Sequence, residues 1–374
     1  MPTQVEDGTQ SDQTLTRREF IGMTAGMALT LLLQGCRQRP SSSPPTRTHS
    51  GPVDIELYKK PGPWRIGRSG RGDINSWLVT LSAHIEYGVK VKYRELFSDY
   101  LCASANWDPN KQIEDIKTLL QEGIDLLLID PLDHPVVAAG IAQAMDAAVP
   151  VILASARAQN APYVTRVTQN EAARGAACPD WMCRSIRRGR VAIIASIPAS
   201  GDNKAWLAAV RDRLDSQSDI ETLAVEHCPW LSPEARRVMS SILAESPPID
   251  GVIVNNGVLG RGVVLAFAEH DRDIPPIAGV DDWNGWLRTA AEHKVGFLGL
   301  SGGASLGLLC VELATRVLAG DPVQRDVMFP CSTFDHSDLY RYYRPDLTDH
   351  YWTVNDLSQA WIERMFNTRV SSRI

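Results

Sequence analysis

The stretch that decides the fold runs from Ile249 to Leu287 and reads IDGVIVNNGVLGRGVVLAFAEHDRDIPPIAGVDDWNGWL. Ile249–Val254 is a short apolar run rich in β-branched residues, which is typical of a buried parallel strand. Apolar residues at helical spacing follow over Val258–His270, and Pro275-Pro276 interrupts the chain before a second buried run at Ile277–Val280. The stretch therefore predicts one strand–helix–strand unit of a parallel sheet.

Both strands of this unit end in polar side chains. Asn256 follows the first strand, Asp281 follows the second, and Trp283 lies two residues further on. In open α/β sheets, ligands bind beyond the carboxyl ends of the strands. Amide and carboxylate groups can hydrogen-bond a small polyol or amine, and an indole offers a flat apolar face. We therefore take all three as candidate ligand-binding residues, with helix capping as the alternative role of Asn256 and Asp281.

The rest of the chain repeats this alternation of strands and helices. The predicted strands begin at Trp64 and continue at Tyr93–Phe97, Ile124–Ile129, Val149–Ala154, Arg190–Ile197, Thr222–Glu226, Lys294–Leu300 and near Val327–Phe329. Asp108 and Pro109 predict a helix start and Gly123 its end. The predicted fold class is α/β, with parallel sheets covered by helices on both faces.

Composition limits the class of function. The chain has 374 residues, enough for two domains with their own cores. It has 38 basic and 44 acidic residues and no basic stripe, which argues against nucleic acid as a partner. Beyond Cys36 it has six cysteines, and none has zinc-site spacing with histidines. We expect no metal and no cofactor, and the sequence leaves the pairing of the cysteines open.

The N-terminus is predicted to be an export signal rather than part of the fold. Residues 1–35 contain Thr16-Arg17-Arg18-Glu19-Phe20, which resembles a twin-arginine export signal, and an apolar run too short to span a bilayer. Leu33-Gln34-Gly35-Cys36 resembles a lipobox, although Gln34 is unusual there. Cys36 is then the lipidated first residue, which anchors the protein to a membrane surface. The alternatives are a plain N-terminal anchor and an uncleaved leader. Residues 36–63, rich in Pro and Ser, predict a flexible stalk.

Three segments together resemble a known family: NWDPNKQIEDIKTLLQEGIDLLLIDPLD from Asn106, AAVPVILASAR from Ala147 and IAGVDDWNG from Ile277. Their order and spacing are similar to those of type I periplasmic binding proteins of the ribose and galactose class. The resemblance implies two Rossmann-like lobes joined by three crossovers. Lobe one is expected at 64–157 plus 302–328, and lobe two, with a C-terminal extension, at 158–301 plus 329–374.

The resemblance also implies a function. A small polar solute, such as a sugar or polyol, is expected to bind in the cleft, and the lobes close on it by a hinge motion. Such proteins deliver the solute to an ABC transporter permease. The alternative is a sensory binding protein that reports ligand occupancy to a membrane histidine kinase.

The family's ligand-binding positions fall on particular residues of this chain. Lobe one supplies Trp77 with its neighbours Asp73 and Asn75, followed by Ser155 and Arg157. Lobe two supplies Lys204, Asn256 and Asp281, and Ser301 marks the last crossover. Ser155, Lys204 and Ser301 replace the family's usual Asp-Arg pair, Arg and Gln, which argues against a simple pentose or hexose but not against binding. Core packing for Trp77, solvation for Lys204 and a turn cap for Ser155 are the alternative roles.

One motif suggests an enzyme instead. Gly303-Ala304-Ser305-Leu306-Gly307 matches the G-x-S-x-G elbow of serine hydrolases. Asp335, His336 and His350 follow in the order of a Ser-Asp-His triad. Too few residues follow the serine to complete a hydrolase sheet, and the family explains the same glycines as a helix start. We therefore predict a binding protein rather than an enzyme.

Overall fold

The computed structural model describes residues 55–198, 201–245 and 248–366. Its strands are β1 (Trp64–Gly70), β2 (Phe97–Ser104), β3 (Leu126–Ile129), β4 (Val151–Ala154), β5 (Thr165–Gln169), β6 (Gly189–Ala195), β7 (Ile220–His227), β8 (Gly251–Val254), β9 (Ile277–Val280), β10 (Phe297–Leu300), β11 (Asp326–Phe329) and β12 (Thr333–Asp335). Its helices are α1 (Ser76–Tyr87), α2 (Pro109–Gln121), α3 (Pro135–Asp146), α4 (Glu171–Ile186), α5 (Gly201–Asp215), α6 (Ser232–Glu245), α7 (Gly257–Glu269), α8 (Asn284–His293), α9 (Leu306–Ala319), α10 (Leu339–Tyr342) and α11 (Gln359–Phe366). Among these helices, none combines the length and the apolar character that crossing a bilayer requires.

The strands form two six-stranded sheets, one in each lobe. Their orders are β11-β5-β4-β3-β1-β2 in lobe one and β12-β10-β9-β8-β6-β7 in lobe two. All neighbouring strands are parallel except β12, which runs antiparallel to β10. The central strands β3, β4, β8 and β9 are buried along their whole length, which explains their continuous apolar sequences. The predicted α/β fold with two Rossmann-like lobes is confirmed.

The chain crosses between the two sheets three times, after β5, after β10 and after β11. The first crossover lies later than the lobe boundary expected at Arg157. Because β5 pairs with β4 in the first sheet, lobe one extends to Gln169. Strand β5 could not be predicted from its sequence, TRVTQ, because this sequence is mostly polar although four of its five residues are buried. Arg166 is accommodated there by an ion pair with Asp326 of β11, at 2.8 Å.

Local sequence signals set several helix starts. Asp108 accepts a hydrogen bond from the backbone N–H of Asn110 at 2.8 Å, and Pro109 is the first residue of α2, as predicted. Asn75, Asn170 and Asn256 cap α1, α4 and α7 in the same way. Each cap contributes about 1 kcal/mol to stability. The strand predicted at Tyr93–Phe97 is wrong in its position along the chain. Helix α1 continues into a π-helical turn, and the exposed edge strand β2 starts only at Phe97.

The segment before β1 shows that the predicted stalk, residues 36–63, was assigned too far along the chain. Residues 36–54 of it lie outside the described part. Ile55–Tyr58 forms a short 3₁₀ turn, and the Tyr58 side chain is buried in the core of lobe one. The backbone N–H of Lys60 donates to the carbonyl of Leu318 in α9 at 3.0 Å, and its ammonium pairs with Asp125 at 3.2 Å. Residues 55–63 therefore belong to lobe one rather than to a flexible linker.

The C-terminal segment, residues 336–366, packs against both lobes. On lobe two, Asn284 at the start of α8 donates from its side-chain amide to the carbonyls of Arg344 and Thr348 at 2.9 and 3.1 Å. On lobe one, Tyr87 of α1 meets Trp361 edge to face at 5.6 Å. A buried apolar cluster surrounds this contact and consists of Ala83, Leu347, Tyr351, Leu357, Trp361, Ile362 and Phe366. The segment is therefore a non-covalent link between the lobes, in addition to the three crossovers.

Replacing Trp361 with Ala tests this link. We expect the free energy of unfolding to fall by about 3 kcal/mol, because a buried aromatic side chain is removed and a cavity is left against α1. Thermal and urea denaturation measure the change. Tyr340→Ala is the control, since that ring is 80 % exposed and its loss should leave stability unchanged. Equal stability of the two variants would contradict a packed C-terminal segment.

Candidate functional site

The strand orders define where a ligand crevice lies in each lobe. In lobe one, the connection after β1 leads to β2 on one side of the sheet, and the connection after β3 leads to β4 on the other side. In lobe two, the connections after β6 and β8 diverge in the same way. Open α/β sheets bind ligands at such switch points, outside the carboxyl ends of the strands. The two lobes meet close to these ends, because Trp77, at the start of α1, packs against the cores of both lobes. Its indole N–H donates to the carbonyl of Gly302, in the crossover after β10, at 2.7 Å.

The structure brings Asn256 and Asp281 together at the amino end of α7. Asn256 Oδ1 accepts from the backbone N–H of Leu259 at 3.0 Å, so its carbonyl oxygen caps the helix. Asp281 Oδ1 accepts from the backbone N–H of Trp283 at 3.4 Å, and the N–H of Gly257 also donates to this carboxyl. A Cβ on Gly257 would lie only 2.6 Å from Asp281 Oδ1, so the close approach requires glycine. The positive end of the α7 dipole therefore faces this carboxyl.

Burial changes the acidity of Asp281. The side chain is 2 % exposed, and burial raises its pKa to about 7, with repulsion from Asp282 as the second cause. The N–H donor of Gly257 and the charge of Arg174 act in the opposite direction. Near neutral pH this carboxyl can therefore donate to a ligand hydroxyl as well as accept from one.

Asp282 and Ser301 have a different role, because their side-chain oxygens accept hydrogen bonds from the backbone of other chain segments. Asp282 accepts from the backbone N–H of Gly302 at 2.5 Å and from that of Val354 at 2.7 Å. Burial raises the pKa of Asp282, although these donors counteract it. Ser301 Oγ accepts from the N–H of Ser332 at 3.0 Å, which joins two crossovers. The candidate Ser301 thus lies within the junction of the lobes.

The tryptophans near this junction are mostly packed. Trp283 is buried and forms an isolated antiparallel bridge with Trp352 of the C-terminal segment. The guanidinium of Arg261 lies 5.9 Å from the Trp283 ring centre. The indole N–H of Trp352 reaches Ser76 Oγ in lobe one at 3.3 Å. Trp77 is half-buried and packs against the cores of both lobes, so part of its surface stays exposed.

The other candidates lie at the edges of this group. Asp73 is exposed and accepts from Ser82 Oγ at 2.6 Å. Asn75 caps α1. Ser155 has a positive φ of 68° directly after β4, and its N–H donates to the carbonyl of Val167 at 2.8 Å. Arg157 and Lys204 are exposed, and no contact in the described part of the chain joins either to Asp281. A ligand role for these residues stays a prediction.

The structure also identifies polar and aromatic residues that the sequence analysis missed. Arg71, after β1, forms a bidentate pair with Asp130, after β3, with an Nε–Oδ2 distance of 2.7 Å. Trp230, after β7, is part-exposed, and its indole N–H points to Asn255 Oδ1 at 3.5 Å. Each follows a strand closely, so position after a strand was the signal that could have identified them.

The hydrolase arrangement is not assembled within residues 55–198, 201–245 and 248–366. Ser305 is buried at the start of α9, and no hydrogen bond links it to a histidine of the described residues. Asp335 accepts from the N–H and the hydroxyl of Ser337 at 2.8 and 2.6 Å. The described cysteines are all free thiols, and no cluster of three metal-ligating side chains occurs among the residues described.

Two lobes with polar groups beyond their strand ends, joined by three crossovers, define a class of protein: a two-lobed solute-binding protein. The chain belongs to the family described as periplasmic binding protein domain, whose family model matches residues 82–322, more than half of the chain.

Individual relatives are similar over most of their length. The ribose import binding protein of Bacillus subtilis is 23 % identical over 257 residues, which are 68 % of this chain and 82 % of the relative. A solute-binding protein of Bacillus halodurans, solved with myo-inositol, has a TM-score of 0.66 at 19 % identity and covers 76 % of this chain and 98 % of its own. The fructose-binding periplasmic domain of a hybrid two-component system has a TM-score of 0.65 at 19 % identity, with 74 % and 92 % covered.

The acidity of Asp281 predicts a pH dependence of stability. Because the folded pKa of about 7 lies above the ordinary 3.8, the folded protein binds the proton more tightly. The contribution of Asp281 to the free energy of unfolding is therefore full at low pH and decreases as pH rises from about 4 to about 7. Asp281→Asn removes this titration. We expect the melting temperature of the wild type, relative to the Asn variant, to fall across that window.

Differential scanning calorimetry between pH 4 and 8 measures this difference. Asp212→Asn, an exposed position on α5, is the matched control and should track the wild type. Parallel curves for wild type and Asp281→Asn would show that burial does not raise the pKa of Asp281.

Proposed function

We propose that this protein is an extracytoplasmic solute-binding protein. It captures a small polar ligand, a sugar or a polyol, between its lobes and delivers it to an ABC transporter permease. The observation that carries the proposal is the position of Asn256 and the buried Asp281 at the amino end of α7, beyond β8 and β9, together with the contact between Trp77 and Gly302. Donors and acceptors fixed next to an aromatic face suit a polyhydroxylated ligand. The ribose-binding and inositol-bound relatives support this ligand class.

The mechanism is capture by domain closure. A ligand that contacts both lobes stabilises the closed arrangement, because only that arrangement forms all of its hydrogen bonds. Asp281 accepts from or donates to one ligand hydroxyl, the Asn256 side-chain NH₂ donates to another, and Trp77 covers an apolar face. We infer that no bond in the ligand is made or broken, that the protein is not an enzyme and that it uses no cofactor.

A sensory role is the second candidate. The fructose-binding neighbour is the periplasmic domain of a two-component system, so this fold also serves signalling. Capture by the same cleft would then be reported to a membrane histidine kinase. Co-purification with a permease supports transport, whereas ligand-dependent phosphorylation of a co-expressed kinase supports sensing.

Loss of the Asp281 carboxyl tests the ligand site. A thermal-shift screen with D-ribose, D-fructose, myo-inositol, xylitol and small amines first identifies a ligand, because binding to the folded state raises the melting temperature. Asp281→Ala should then weaken binding of that ligand at least tenfold, since a buried hydrogen-bonding partner is lost. Isothermal titration calorimetry measures the affinity, with Asp212→Asn as control. Unchanged affinity would remove Asp281 from the site.

The location of the protein is tested at Cys36, which lies outside the described residues. We propose that the twin-arginine signal exports the chain and that Cys36 carries the lipid that holds it at the membrane. Cys36→Ala should move the exported protein from the membrane fraction to the soluble fraction, as measured by fractionation and immunoblotting. Continued membrane association of the variant would point to an uncleaved leader as the anchor.

A further inference from the structure

We propose that Arg71, Asp130 and Trp107 form the lobe-one half of the ligand site and select a cyclic sugar over an open-chain polyol. The inference rests on the proposed function, and it narrows the ligand class. None of the three was a candidate from the sequence. Together they occupy the switch point of lobe one and the loop beside it.

The Arg71–Asp130 pair lies at the crevice itself. Arg71 directly follows β1, and Asp130 directly follows β3, the two strands between which the connections of lobe one reverse direction. Asp130 is 1 % exposed and holds the guanidinium through Nε and Nη2. The Arg71 side chain keeps 19 % of its surface exposed. A bidentate pair of this kind presents hydrogen-bonding groups in a fixed orientation and carries no net charge, which suits a neutral ligand.

Trp107 forms an open aromatic wall next to this pair. It lies on the loop after β2 and is 41 % exposed. Its backbone N–H donates to the carbonyl of Arg71 at 2.7 Å, and the Arg71 guanidinium lies 5.8 Å from its ring centre. Asn106 and Trp107 both have positive φ, of 50° and 65°. Two such residues in succession are costly, and strain of this kind is concentrated at binding sites.

The chemistry of the three groups matches a sugar ring. A ring presents apolar C–H groups on one face and hydroxyls around its rim, so it can stack on Trp107 while its hydroxyls reach the exposed part of Arg71, which Asp130 holds in place. An open-chain polyol has no rigid face to stack, and ordering it costs more conformational entropy.

A purely structural role predicts different behaviour. If the pair only holds the loops after β1 and β3 together, its loss would lower stability and change affinity for all ligands equally. If Trp107 only covers Gly72, whose hypothetical Cβ would lie 3.1 Å from Trp107 Cδ1, removing the ring would leave selectivity unchanged. Selectivity between ring and chain ligands is therefore the informative measurement.

The experiment is calorimetric titration of D-ribose, D-fructose, myo-inositol and xylitol into full-length wild type, Trp107→Ala, Trp107→Phe and Arg71→Gln. The expected result is that Trp107→Ala weakens the tightest ring ligand about tenfold and xylitol less than twofold. Trp107→Phe should retain most of the ring affinity, because Phe keeps a flat face. Arg71→Gln should weaken ring ligands at least tenfold. Tyr340→Ala is the control for loss of an exposed aromatic ring.

The outcomes separate this inference from the proposed function. A wild type that binds none of the four probes, and no other sugar or polyol, overturns both. If ring ligands bind and Asp281→Ala abolishes binding, but Trp107→Ala and Arg71→Gln behave like Tyr340→Ala, only the inference is overturned. Equal loss of ring and chain ligands in Trp107→Ala, with a lowered melting temperature, assigns Trp107 a structural role and also overturns it.

Discussion

Two adjacent buried carboxylates at the end of β9 are the constraint on which the centre of the molecule depends. Burying one ionisable group is costly, and burying two side by side adds their repulsion. Asp282 is compensated by backbone donors from two other segments, Gly302 after β10 and Val354 in the C-terminal segment. Asp281 is compensated by the amino end of α7 and by Arg174. Asp282 therefore fixes the junction of the lobes, whereas Asp281 is held by lobe two alone, at the amino end of α7.

The C-terminal segment extends this junction outward. Its bonds to lobe two are polar and directional, through Asn284 and through an Arg288–Asp349 ion pair of 2.9 Å. Its contact with lobe one is mainly apolar, against Ala83 and Tyr87 of α1. Apolar contacts are non-directional and tolerate small sliding movements better than fixed hydrogen bonds do. The segment is therefore fixed to lobe two by directional bonds and held on lobe one mainly by packing against α1.

Much of the fold could be predicted from the sequence, because buried parallel strands read as continuous apolar runs. IDLLLI and IDGVIV each identify a strand and the polar residue that follows it. The strand predictions failed where a strand has no continuous apolar run. β5 is buried but polar, since its Arg166 is paired with Asp326, and the edge strand β2 is too exposed to give an apolar run. The first lobe boundary was misplaced for the same reason.

The site was less predictable, because its groups are brought together by pairing between distant residues. Asn256 and Asp281 were accessible to sequence reasoning, since each follows a recognisable strand. Arg71 and Asp130 also follow strands, but their pairing could not be predicted, because 59 positions separate them and only the adjacency of β1 and β3 brings them together. Trp283 shows the opposite case: it follows a strand, yet the bridge to Trp352 buries it. A side chain's place after a strand thus indicates the correct edge of the sheet, while its neighbours across the sheet decide whether it faces a ligand or the core.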